Sequence, residues 1–230
     1  MIRRYAAEFI GTFAIVFAPL ALANSSSLLE AALISGLAVA AMVFALGPIS
    51  AAHFNPAVTI AFATAKRFPW RFVPAYLASQ FAGAVLAAVT AKALYGSISP
   101  HIPADPTAIT RNLGTEIAIS FLLMLVIISV ATDKRAGPST PGIAIGGAVV
   151  MGVIIGGPVT GGSMNPFRSL GPALITGGQS LQVVWLYIIG PILGALAAAL
   201  TYEAIRIEHA ASVAAPNDLL ESLTEIQNSK

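Results

Sequence analysis

Apolar residues fall into eight runs separated by short polar or Gly/Pro-rich stretches. Six of them, residues 5–23, 28–47, 72–95, 112–131, 141–157 and 181–205, are long enough to span a bilayer, which takes about 17 to 25 helical residues. The other two, 55–64 and 165–175, are too short to cross, and each opens on Asn-Pro. This pattern predicts an all-α membrane protein with six transmembrane helices and two re-entrant half-helices.

The chain also repeats itself. Aligning Asn55 with Asn165 without a gap sets GLAVAAMVFALGPISAAHFNPAVT, from Gly36, over GGAVVMGVIIGGPVTGGSMNPFRS, from Gly146. Gly47-Pro48 meets Gly157-Pro158, Ser50 meets Thr160, and the two Asn-Pro pairs coincide. A glutamate lies upstream in each half, Glu8 and Glu116, and Tyr76 with Gly83 corresponds to Tyr187 with Gly194. Each half makes three crossings, an odd number, so the second enters the membrane from the opposite face and the repeats are inverted. One domain is expected over residues 1–206, with repeats at about 1–98 and 110–206 and a cytoplasmic tail at 207–230. The two half-helices then meet near the midplane, preceded by SAAHF and TGGSM. Such extended backbone is tolerable there only if buried in protein or lining a wet path.

Composition strengthens this reading. The chain is 57% apolar and 10% charged, whereas soluble domains carry about 25% charged residues. Its 20 Gly and 15 Pro suit membrane helices, whose small residues let backbones approach closely. The absence of cysteine excludes disulfides, thiolate metal sites and thiol nucleophiles. The first 23 residues have the charge pattern of a signal peptide, but their apolar run is too long for a signal core and Glu8 has a repeat partner, so a first transmembrane helix is expected. A net charge of +2 is scattered between apolar runs and makes no basic face for nucleic acid. It speaks to topology instead. With both termini cytoplasmic, Arg3, Arg4, Lys66, Arg67, Arg71, Lys134, Arg135, Arg206 and Lys230 lie inside, while Lys92 and Arg111 lie outside, as the positive-inside tendency requires. The loop at 96–110 is then extracellular, and the turn at Asp133, Lys134 and Arg135 is a cytoplasmic turn or a gate. In the tail, Asn217 either caps a short amphipathic helix or belongs to a solvated segment.

Asn-Pro is a helix start: asparagine is a good N-cap and proline a good first residue. Two such starts facing each other put two positive dipole ends, each about half a charge, at the centre of a path. Asn55 and Asn165 add amide donors. Neutral hydroxyl-bearing molecules can accept hydrogen bonds there, whereas cations meet a barrier. Arg168, inside the second half-helix, is costly enough in a membrane to be a functional residue by default; the alternative is that it snorkels or pairs with a carboxylate. Glu8 and Glu116 are expected to accept hydrogen bonds from the loop of their own half, with proton relay as the alternative. His53 is a loop or pore-wall contact, and with no acid or second histidine near it in sequence no metal site is expected. No Ser-His-Asp set, carboxylate pair or metal cluster converges on the motifs, so neither an enzyme nor a cofactor is expected. An ion-coupled secondary transporter shares inverted repeats and broken helices, but the midplane groups here are amides and one arginine.

HFNPAVT at 53–59 and GGSMNPFRSLGPAL at 161–174, with six spans and an inverted repeat, closely resemble the aquaporin, or major intrinsic protein, family. The resemblance covers about residues 3–206 and implies a right-handed bundle, a homotetramer with one pore per subunit, and passive flow of small neutral solutes through a cell membrane. It places a selectivity filter on Ser35, Val153, Gly162 and Arg168. Water-selective members typically carry phenylalanine and histidine at the first two positions. A wide, half-apolar filter such as this one resembles the nodulin-like branch, which passes glycerol, urea and neutral metalloid acids such as boric and arsenous acid. FPWRFVPAY from Phe68 and Tyr187-Ile188 before Gly190-Pro191 agree with that branch. Ser169 and Ala173 are instead water-type, so a strictly water-selective channel is the alternative. One departure stands out: the motifs read Asn55-Pro56-Ala57 and Asn165-Pro166-Phe167, where the family usually has alanine third. Phe167 either adjusts packing or narrows the central constriction.

Overall fold

The computed structural model describes residues 1–22, 27–132, 137 and 140–206. The Asp133–Lys134–Arg135 turn and the tail at 207–230 lie outside the described residues. Among these residues all regular structure is helical. Six helices can cross a membrane: α1 (Ile2–Ala21), α2 (Leu28–Ser50), α4 (Val73–Tyr95), α5 (Ile109–Thr132), α6 (Thr140–Thr160) and α8 (Gly178–Ile205). Two short helices, α3 (Pro56–Thr64) and α7 (Pro166–Thr176), follow the two asparagines.

Several boundaries move from those expected. α2 and α6 run to Ser50 and Thr160, past the ends expected at 47 and 157. Pro48 and Pro158 sit in the last turn, where each removes one i→i−4 bond and crowds the carbonyl four residues back. The helix is closed behind it by Ala51 N–H on the Gly47 carbonyl (2.9 Å) and Gly161 N–H on the Gly157 carbonyl (3.1 Å). α8 begins at Gly178, directly after α7, because Gly177 and Gly178 take φ of +67° and +58° and turn the chain without a loop. α2 starts on a capping box: Ser27 Oγ accepts from Glu30 N–H (3.3 Å), and Glu30 accepts from Ser27 N–H (2.7 Å).

The repeat symmetry is built into helix contacts. α2 meets α6 at Gly36 and Gly146, where an added Cβ would lie 2.5 Å and 2.7 Å from the other glycine's carbonyl oxygen. α1 meets α4 at Gly83, and α5 meets α8 at Gly194; a Cβ at these positions would lie 2.4 Å from the Phe9 carbonyl and 2.2 Å from the Ile117 carbonyl. Backbones this close are the usual device where lipid offers no hydrophobic drive to association. Gly194→Ala must therefore separate α5 from α8. Overpacking of this kind costs about 1–3 kcal/mol, so the melting temperature of detergent-solubilised protein should fall by roughly 2–12 °C. Gly114→Ala, with nothing within 4 Å, should leave it unchanged or raise it.

The bundle has two distinguishable ends. At one, Arg67 grips the Glu203 carboxylate with two hydrogen bonds (2.9 and 3.2 Å), and Arg206 Nε lies 2.6 Å from it. At the other, Lys92 donates to the Ile175 carbonyl (3.3 Å) at the end of α7. The segment between α4 and α5 closes over this second end: Ile98 is buried and Ala104 N–H bonds the Val159 carbonyl (3.0 Å).

Candidate permeation site

Both short helices start as their sequence dictates. Asn55 and Asn165 are extended N-caps with proline next: Asn55 Oδ1 accepts from Ala57 N–H (2.9 Å), and Asn165 Oδ1 from Phe167 and Arg168 N–H (3.1 and 3.3 Å). Each amide nitrogen then reaches across the pseudo-twofold axis. Asn55 Nδ2 donates to the Met164 carbonyl (2.8 Å), and Asn165 Nδ2 to the Phe54 carbonyl (2.9 Å). Phe54 and Met164 hold φ of +48° and +56°, a left-handed conformation costing about 1–2 kcal/mol each, which the paired cross-axis bonds offset. Since Oδ1 is taken up by capping, each side chain has one amide N–H left, and both asparagines line a cavity of about 380 Å³. To a solute, each asparagine is a donor.

The two glutamates support these loops in the same way. Glu8 accepts from Ser50 Oγ (2.7 Å), His53 N–H (2.9 Å), Phe54 N–H (2.7 Å) and Gln80 Nε2 (2.8 Å). Glu116 accepts from Thr160 Oγ1 (2.7 Å), Ser163 N–H (3.0 Å) and Met164 N–H (2.9 Å). Both are fully buried, and Tyr76 and Tyr187 donate to the Ser50 and Thr160 carbonyls at 2.7 Å. Every backbone N–H so bound belongs to the extended stretch that lipid cannot satisfy.

Arg168 does not snorkel. It is 8% exposed; its Nη1 donates to the Gly162 and Ser163 carbonyls (2.8 and 3.1 Å) and its Nη2 to Ser35 Oγ (2.9 Å). The Ser35 hydroxyl in turn donates to the Ala31 carbonyl (2.7 Å), so it presents a lone pair to the guanidinium. Gly162 packs on the fourth expected filter residue: a Cβ there would lie 2.8 Å from Val153 Cα. All four positions are thus linked by contact, Ser35 to Arg168, Arg168 to Gly162 and Gly162 to Val153. Ser35 and Arg168 wall the large cavity, which continues past both asparagines to Gly47, Pro48, Ala131 and Pro141; Val153 and Gly162 pack against each other. Ser35 therefore gives Arg168 a polar partner on the cavity wall.

His53 is both a loop and a wall residue. It borders the cavity, its Nδ1 lies 3.2 Å from Thr59 Oγ1, and its ring packs among Phe62, Phe68 and Tyr76. Phe167 turns away from the path: its ring meets Phe81 of α4 edge-on at 5.4 Å and is not part of the cavity wall. Ala57 is buried at the matching place.

The structure adds residues with no sequence signal of their own. Gln80 bridges Glu8 and Thr59 in the first half (2.8 and 3.0 Å). His101, from the segment between the halves, lies with Nδ1 3.0 Å from Ser169 Oγ. Enclosure of its ring, with the Arg168 charge second, holds His101 well below the ordinary histidine range, so it is neutral at neutral pH. The hint was negative: the repeat puts Ser163 where the first half has His53, leaving an imidazole-sized gap.

Six spanning helices around two half-helices, meeting nose to nose on a continuous cavity, define a transmembrane channel. A profile of the family described as Major intrinsic protein matches residues 1–202. Aquaporin NIP1-1 of Oryza sativa subsp. japonica is 44% identical over 214 residues, covering 89% of this chain and 75% of its own. Putative aquaporin NIP4-1 of Arabidopsis thaliana is 43% identical over 212 residues, covering 87% and 73%. The X-ray structure of the aquaglyceroporin from Plasmodium falciparum superposes with a TM-score of 0.81 at 23% identity, covering 89% of this chain and 96% of that one, which shows a shared fold. The chain belongs to the major intrinsic protein, or aquaporin, family.

Proposed function

We propose that this channel passes glycerol, urea and small neutral metalloid acids such as arsenous and boric acid, as well as water, and that it excludes ions and protons. The observation that carries the solute range is the contact of Ser35 Oγ with Arg168. Where water-selective relatives place a ring, this filter has a hydroxyl tied back against the arginine, with Val153 and Gly162 as the remaining members. Three Arg168 donors are used among the described residues, and two remain for a solute oxygen. The exclusion rests on Asn55 and Asn165. Both offer only N–H to the path, and two helix N-termini add roughly one positive charge between them. Water at this point accepts from both sides and cannot relay a proton through, as in aquaporin-type pores generally.

Ser169 and Ala173 are the two residues that favour a water-only channel. Both are buried away from the cavity wall, Ser169 hydrogen-bonded to Ser163 and His101. Their identity bears on packing more than on pore width. Water, glycerol, urea and arsenite fluxes measured in one proteoliposome preparation test the solute range. All four should exceed those of empty vesicles; water flux with none of the others would leave a water-selective channel.

We further infer a homotetramer in a cell membrane, with both termini cytoplasmic. The Arg67–Glu203–Arg206 cluster then lies on the cytoplasmic side and the Lys92 end outside, in accord with the distribution of basic residues. Flow is passive, and no chemical step is involved.

A further inference from the structure

We propose that His101 is a positioning residue of the extracellular filter, acting through Ser169 and Ser163 on the carbonyl that holds Arg168. The proposal rests on the filter reading above. In the first half, Thr59 is held by the His53 imidazole, whose ring lies 5.2 Å from the Tyr76 ring. The gapless repeat maps Thr59 to Ser169, Ala51 to Gly161 and His53 to Ser163, and Tyr76 corresponds to Tyr187. Serine is too short to span the same gap. His101 fills it from the segment between the halves: Nδ1 is 3.0 Å from Ser169 Oγ and its ring is 5.6 Å from the Tyr187 ring. An imidazole thus sits between the equivalent hydroxyl and the equivalent tyrosine in both halves.

The seat is shaped for it. A Cβ on Gly161 would lie 2.9 Å from His101 Cδ2, whereas its counterpart Ala51 carries that methyl. Donor counting then orients the chain of hydrogen bonds. Ser163 Oγ–H donates to the Asn165 carbonyl (3.0 Å), so the Ser163–Ser169 bond must use the Ser169 proton. Ser169 Oγ can then only accept from His101, which requires the proton on Nδ1. Neutral His101 is therefore the first donor of a line running His101, Ser169, Ser163, Asn165. Ser163 also gives its carbonyl to Arg168 Nη1 (3.1 Å), so a residue outside both repeats reaches the filter and the second Asn-Pro motif together. His101 and Arg168 also share a cavity of about 50 Å³ on the far side of the arginine.

The test is the glycerol-to-water flux ratio per channel in proteoliposomes containing wild type, His101→Ala, His101→Asn, Ser169→Ala, the His101→Ala/Ser169→Ala double variant, and Arg168→Val. Asparagine can offer an N–H close to where Nδ1–H stands. His101→Ala and Ser169→Ala should shift the ratio in the same direction by roughly threefold, within the range for loss of one neutral hydrogen bond. The double variant should shift it no further than either alone, and His101→Asn should restore it. A merely structural histidine would lower yield and leave the ratio per channel alone. A wild-type ratio in His101→Ala and Ser169→Ala, alongside a shifted ratio in Arg168→Val, overturns the proposal and spares the filter. An unchanged ratio in Arg168→Val overturns both. If His101→Ala does not fold, Ser169→Ala breaks the same bond and decides alone.

Discussion

Glycerol and urea fluxes should fall at least about tenfold, equivalent to about 1.4 kcal/mol of added barrier, when Ser35 becomes phenylalanine and Val153 becomes histidine together, while water flux falls far less. Three of the four proposed filter residues are small. Ser35 is buried against Arg168, and the space in front of it belongs to the cavity, so a ring introduced there has only the path to enter. Phenylalanine also removes the acceptor now taking an Arg168 N–H at 2.9 Å, leaving the guanidinium one more donor to turn toward solute. A histidine at 153 projects from α6 beside Gly162, where a methylene is the whole of the opposing residue. The variant should become narrower and more polar, which penalises a three-carbon polyol more than water. Solute flux ratios in proteoliposomes measure this. Unchanged glycerol flux would place the size-limiting constriction elsewhere.

Loss of the folded channel is expected from Glu8→Ala. Four donors converge on that carboxylate, two of them backbone N–H groups of the re-entrant loop, and no solvent replaces it in a membrane interior. Each buried donor left unpaired costs about 1–3 kcal/mol, so the sum rivals a typical total stability of about 5–15 kcal/mol. Glu8→Gln should rescue little, because its amide NH₂ turns a donor toward other donors. Glu116→Ala should act in the same direction and more weakly, with three donors stranded. Size-exclusion profiles and melting curves in detergent report the outcome; a Glu8→Ala protein that elutes and melts as wild type would mean the loop is supported by something other than this carboxylate.

Much of this architecture was legible in the chain. Long apolar runs announce spans whatever their neighbours, and two Asn-Pro pairs at matched places in a gapless repeat announce facing half-helices. The proposed filter set follows by spacing from the asparagines, and Ser35, Arg168, Gly162 and Val153 lie in contact one with the next. Other features depend on partners far away along the chain. Phe167 could not be oriented without Phe81, since the ring's direction is set by which helix lies beside it. Ser35 read as a small gap in the wall; its bond to Arg168 crosses 133 residues. His101 had neither periodicity nor a repeat partner, because it serves the second half from outside it. Two helix ends fall three residues past the expected ones, because Ala51 and Gly161 still bond the Gly47 and Gly157 carbonyls and carry the last turn beyond its proline.

The most direct measurement is solute flux and electrical conductance in the same proteoliposomes. The account predicts glycerol flux that rises linearly with its gradient, is indifferent to sodium and proton gradients, and brings no measurable current, as expected of a path whose two midpoint asparagines present N–H donors beside positive helix ends. Flux that saturates and depends on an ion gradient, or that carries current, would contradict it.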